Sequence, residues 1–148
     1  MPDSEKQKIS FDVHSEWIDH KSSVSYCKVA KINLDTNLEG SSDAFNPAEL
    51  LLSALSGCII KGIERVAPII KFEFKGIEVK LHGVRQDVPP KMESIDYEII
   101  VNTNEPDSRL ELLHKNVRQF GTVFNTVAPG TQLNGKMSRK EEPTKRLG

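Results

Sequence analysis

The sequence predicts an α+β fold of one domain, built around a single long, largely buried helix. Three observations predict it. Residues 46–68 carry a nearly continuous apolar set that begins after Asn46 and runs to Pro68. Period-two alternation of apolar and polar residues marks strands on both sides of that segment. Strands and helices do not alternate strictly, which separates this pattern from a parallel doubly wound sheet. A chain of 148 residues holds one domain with one core.

The elements follow in order. Residues 1–9 read as a flexible lead-in. Phe11, Val13, Ser15 and Trp17 alternate as a half-buried strand does, and residues 18–23 read as a turn. Val24 and Tyr26 begin a second strand, and residues 29–34 continue it or form a third. Residues 35–45, rich in Asp, Asn, Ser and Gly, read as a loop. Asn46 is a good N-cap, Pro47 suits the first helical position, and Glu49 falls three residues after the cap. The apolar set Leu50, Leu51, Leu52, Ala54, Leu55, Cys58, Ile59, Ile60, Ile63, Val66 and Ala67 covers most of the helix circumference. Pro68 is expected to stop the helix. A helix that is apolar on most sides must be covered on most sides. In so short a chain, a dimer with this helix at its centre would cover it.

Phe72, Phe74, Ile77, Val79 and Leu81 predict the next strand, with Gly76 as a bulge or kink. Val88, Pro89 and Pro90 make a turn. Ile95, Tyr97, Ile99 and Val101 predict a strand that pairs antiparallel with the one before it. Asp107 or Ser108 is expected to cap a second helix, with Glu111 closing a capping box from Ser108. Leu110, Leu113, Val117 and Phe120 form its apolar face; Lys115, Arg118 and Gln119 lie on the other. Residues 122–129 read as a turn-rich link, in which Asn125 and Thr126 bond the backbone. Residues 131–137 predict a last strand, and residues 139–148 a flexible, charged tail.

Composition excludes several functions. Lys and Arg number 20 and Asp and Glu 21, for a formal charge of -1. That balance gives no positive surface to bind phosphate, so nucleic acid is not an expected partner. No apolar run approaches the ~20 residues that span a bilayer. The first ten residues lack the apolar core of a signal peptide, so the expected location is the cytoplasm. Two cysteines, Cys27 and Cys58, do not make a disulfide framework. Four scattered histidines and no C-x-x-C pair leave no legible metal site, and no cofactor is expected. His14, His82 and His114 are expected to face solvent.

Residues 46–58 read NPAELLLSALSGC, and residues 123–126 read VFNT. The first segment closely resembles the P-x-E-L-L-L-x-A-L-x-G-C helix of the OsmC/Ohr family, the osmotically inducible and organic-hydroperoxide-resistance proteins. The second resembles the end of that family's C-P-V-x-N-T-L segment, and the order of elements is similar over nearly the whole chain. The resemblance implies an OsmC-like fold of antiparallel sheets around the central helix. It implies an intertwined homodimer with sites at the subunit interface. It also implies thiol-dependent reduction of organic hydroperoxides. A cysteine on the central helix attacks the peroxide, a second cysteine resolves it, and an early arginine and a carboxylate at the helix start support the thiolate.

Four departures mark a divergent member. Gly121 and Thr122 stand where the resolving cysteine and its proline are usual. Ala48 occupies the carboxylate position, with Glu49 one residue later, and no arginine precedes Arg65. Cys58 is the one functional position clearly kept.

Cys58 therefore has two readings. As a nucleophile it must lose its proton, which needs a cation nearby; Lys21 and His20, in the first turn, are weak candidates for that cation. As a core residue it simply packs, like most buried cysteines. Glu49 is explained by capping alone, with catalysis as the lesser reading. A sulfenic acid on Cys58 would require a small thiol, a dihydrolipoyl carrier or Cys27 to resolve it. The expected function is a one-cysteine organic hydroperoxide reductase in oxidative stress defence. The alternative is a non-catalytic dimer of the same fold that binds an apolar small molecule at the subunit interface.

Overall fold

Alternating residues near the N-terminus build a three-stranded antiparallel sheet in the computed structural model, which describes residues 8–141. The strands are β1 (His14–Asp19), β2 (Ser22–Cys27) and β3 (Ala30–Asp35), in the order β1-β2-β3. Tight turns join them. Asp19 accepts the Lys21 backbone N–H at 2.8 Å and the Ser22 hydroxyl at 2.9 Å across the first. Lys28 takes a positive φ of 56° in the second. After β3 the loop winds around buried Asp35, whose carboxylate accepts the N–H groups of Asn37 (3.0 Å) and Ser41 (2.8 Å). This sheet and loop belong to the first of two compact units, which ends at Leu50; the second starts at Leu51.

The long helix, α1 (Pro47–Ile70), opens with the predicted capping box. Asn46 Oδ1 accepts the Glu49 N–H at 2.8 Å, and Glu49 Oε1 accepts the Asn46 N–H at 2.9 Å. Pro68 does not stop the helix, which runs one turn fragment further. Two groups hold that end. Lys71 adopts φ 55° and the Phe72 N–H closes back on the Ala67 carbonyl at 2.8 Å. The Arg109 guanidinium donates to the carbonyls of Ile70 and Lys71.

The second unit continues with β4 (Gly76–Gln86), β5 (Lys91–Asn102), α2 (Asp107–Phe120), α3 (Thr122–Val127) and β6 (Gln132–Arg139). Its sheet has the order β4-β5-β6. β4 and β5 pair antiparallel as expected, but β6 runs parallel to β5, with Tyr97 opposite Gly135. A parallel return needs a long crossover, and α2 with α3 supplies it. Gly76 starts β4 instead of bulging it; the irregularity lies at Val84 and Arg85. Phe72 and Phe74 precede the strand, with Phe72 buried.

The core gathers Leu55, Ile59 and Ile63 of α1, alternate residues Ile95 to Val101 of β5, Leu110, Leu113 and Val117 of α2, and Phe124 of α3. Each large side chain removed from water contributes about 1.5–3 kcal/mol. Only one stripe of α1 is covered in the single chain; Leu51 and Ile60 of the same helix remain exposed.

Two local expectations differ from the structure, the cap of α2 and the irregular link after it, although Asn125 and Thr126 do bond the backbone as expected. Pro106, not Asp107 or Ser108, is the N-cap of α2, with no side-chain cap. The Asp107 carboxylate instead accepts from Arg139 Nη2 at 2.7 Å. Residues 122–127 are helical, so the Thr126 hydroxyl reaches back to the Thr122 carbonyl within α3 and Asn125 Nδ2 reaches the Gln119 carbonyl. The flexible ends expected from sequence fall mainly outside the described residues; Arg139 closes β6.

Candidate functional site around Cys58

Helical spacing places Cys58 beside the buried stripe of α1, half-buried, as a free thiol. Its near neighbour in the second unit is Gly121, at the joint between α2 and α3. A Cβ on Gly121 would stand 2.9 Å from Cys58 Sγ, 3.1 Å from Phe124 Cβ and 3.5 Å from the Val117 carbonyl oxygen. Gly121 has φ -79°, which any residue adopts. The glycine is therefore there for room, not for backbone freedom: the Cys58 sulfur fills the space that a side chain would take. One turn further along α1, Gly62 faces Val117 of α2, with room for a Cβ at ordinary contact distance (3.5 Å from Val117 Cγ1).

A polar cluster borders this joint. Tyr97 is buried on β5, at 3% exposure, and a buried tyrosine hydroxyl needs partners. It has two: Arg118 Nη1 donates to it at 2.5 Å, and His114 Nε2 lies 2.8 Å away. Arginine can only donate, so the hydroxyl proton is free to go to a neutral His114. Burial, and then the Arg118 charge, lower the His114 pKa from its usual 6.5, which agrees with a neutral ring. Burial raises the Tyr97 pKa above 10.0 against the opposing effect of Arg118. The Arg118 guanidinium also lies 5.1 Å from the centre of the Phe124 ring and 5.9 Å from that of Tyr97. Gly135 leaves the space that the Tyr97 ring occupies, since a Cβ there would fall 2.1 Å from it.

The other candidates are placed as follows. Glu49 is committed to its capping box, as local sequence predicts. His20 stacks edge-on against Trp17 at 5.3 Å in the first unit. Lys21 follows it in the β1–β2 turn, exposed and engaged through its backbone N–H. Cys27 ends β2 opposite Ala30, half-buried and free. His14 and His82 face solvent as expected, but His114 does not. The reading by sequence missed the Tyr97, His114 and Arg118 cluster. Its signal was present: residues 114 and 118 share a helix face, and a tyrosine at a core position of β5 demands polar company.

The model of the OsmC-like protein family matches residues 40–136. The chain belongs to this family. Solved structures agree on the fold. An OsmC-like protein of Mycoplasma pneumoniae is similar over 91% of this chain and 100% of its own, with a TM-score of 0.85 and 16% identity. An organic hydroperoxide resistance protein OsmC of Legionella pneumophila covers 92% of this chain and 100% of its own, with a TM-score of 0.68 and 14% identity. The organic hydroperoxide resistance protein OhrB of Bacillus subtilis covers 87% and 98%, with a TM-score of 0.64 and 14% identity. No curated protein sequence matches the chain. Among the described residues no helix is long and apolar enough to cross a membrane.

Proposed function

We propose that this OsmC-like protein is a thiol-dependent redox protein that reduces organic hydroperoxides through one cysteine, Cys58. The observation that carries the reading is the half-buried free thiol of Cys58 on the family's helix, with its sulfur in the space that Gly121 leaves open. Two similar folds are named for resistance to organic hydroperoxides, which supports the substrate class.

The chemistry balances with an external thiol. The Cys58 thiolate attacks the terminal peroxide oxygen, the O–O bond breaks, and the alcohol leaves after taking a proton. The sulfenic acid condenses with a small thiol or a dihydrolipoyl group to a mixed disulfide and water. A second thiol releases Cys58 and carries the oxidised product away. Gly121 leaves no thiol at the family's resolving position. Lys21 or His20 is the proposed stabiliser of the thiolate, and Glu49 is proposed for a supporting role.

We place the protein in the cytoplasm as a homodimer that acts in oxidative stress defence. Trp17 at 66% and Ile32 at 48% exposure on the first sheet, with Leu51 and Ile60 on α1, leave apolar surface that a second copy would cover. A steady-state assay with cumene hydroperoxide and dithiothreitol or dihydrolipoamide tests the reading. Turnover lost in Cys58→Ser is expected; equal rates in the two proteins reject it. The second reading, an apolar small molecule held without turnover at the subunit interface, draws on the lack of a second sulfur at Gly121. Native mass spectrometry of protein from its own host would show that molecule.

A further inference from the structure

We propose that Arg118 is a positioning residue for Cys58: through Tyr97 and Phe124 it seats the α2–α3 joint, and with it Gly121, against the thiol. The proposal rests on the reading of Cys58 as the reactive group, and adds a control on access to it.

The chain of contacts is short. Cys58 Sγ and Phe124 Cβ both border the one spot that a Gly121 side chain would fill, at 2.9 Å and 3.1 Å from it. Phe124 is the buried residue of α3, and its ring packs edge-on against Tyr97 at 6.0 Å. Arg118 lies over that ring at 5.1 Å while its Nη1 donates to the Tyr97 hydroxyl at 2.5 Å. One guanidinium thus holds a residue of α3 and a residue of β5 together, from a position three residues before Gly121.

A helix of six residues has little stability of its own, so α3 depends on what packs on it. Within α3 the Asn125 N–H returns to the Gly121 carbonyl at 2.8 Å and the Ala128 N–H to the Phe124 carbonyl at 2.9 Å. Those bonds keep α3 helical but do not dock it. Docking comes from Phe124, and Arg118 is the polar group that locks Phe124 in place.

The Tyr97 hydroxyl is the fixed point of the device. Its ring is backed by Gly135 on β6, where no Cβ could fit. The hydroxyl also lies 2.8 Å from Nε2 of His114, one turn before Arg118 on α2. Tyr97 cannot shift without losing both bonds, so Arg118 anchors the joint to a rigid strand. When the joint is seated, the backbone at Gly121 covers one side of the sulfur. When it lifts, that side of Cys58 is open.

The test measures access to Cys58 directly, in a Cys27→Ser background. The rates of modification by a small reagent, methyl methanethiosulfonate, and a bulky one, a fluorescein maleimide, are compared in Arg118→Met, Arg118→Lys and Tyr97→Phe. Loss of a hydrogen bond from a charged donor should raise the population of the lifted joint by roughly tenfold. The bulky-to-small rate ratio should rise by that factor in Arg118→Met and Tyr97→Phe. Arg118→Lys keeps a cation and a donor and should restore most of the original ratio. Arg109→Met, which loosens the far end of α1, is the control for general destabilisation. A ratio unchanged in Arg118→Met, equal in Met and Lys, or raised as much by Arg109→Met overturns the proposal. Labelling needs no hydroperoxide, so this outcome is separate from the presence or absence of turnover.

Discussion

Replacing Gly121 by cysteine should create a disulfide to Cys58. The Cβ of the new residue would stand 2.9 Å from Cys58 Sγ, closer than an unbonded side chain allows. A disulfide accommodates that contact, because with an S–S bond of about 2.04 Å each Cβ lies about 3 Å from the far sulfur. The link would close a loop of about 60 residues, which on chain entropy stabilises the oxidised protein by about 4 kcal/mol at most. For a chain of this size that is a rise in Tm on the order of 10 °C between reduced and oxidised forms. Mild oxidation with diamide, thiol titration and non-reducing peptide mapping read the bond; thermal scans with and without reductant read its effect. If both cysteines stay alkylable after oxidation, the joint does not lie against Cys58 and the site as described is wrong.

Other predictions follow from the same contacts. Gly135→Ala would drive a Cβ into the Tyr97 ring and should cost about 1–3 kcal/mol or more in urea unfolding. Leu55→Ala should cost about 2–5 kcal/mol by the same measure, since Leu55 is fully buried in the core. Native His114 gives up its proton more readily than the unfolded residue, so its share of stability is present above pH 6.5 and lost as pH falls through and below that value. Acid titration of wild type and His114→Gln should show a shallower decline in the variant. Arg109→Met removes donors from the carbonyls at the end of α1 and should lower stability by about 1.5–3 kcal/mol, checked by thermal unfolding.

Much of the fold was legible because local rules and tertiary structure agreed. The Asn46–Glu49 box formed as written, and the alternation from Ile95 to Val101 produced the central strand. The sequence failed where a distant group outvoted a local one. Pro68 did not end α1 because Arg109, 41 residues on, holds the carbonyls past it. Asp107 did not cap α2: Pro106 holds the cap position, and the Asp107 carboxylate pairs with Arg139. His114 looked solvent-facing because nothing local reports the Tyr97 hydroxyl waiting on β5. At the site, Cys58 was evident from its helix, and Gly121 from its place in the family pattern. Their contact was not, since 63 residues and two strands separate them in the chain.

Reactivity of Cys58 toward peroxide is the central claim. The direct measurement is intact-mass and peptide analysis of reduced protein after one equivalent of cumene hydroperoxide in thiol-free, anaerobic buffer. The predicted result is one added oxygen at Cys58, trapped by dimedone and reversed by dithiothreitol. An unmodified Cys58, with the hydroperoxide intact, would contradict it.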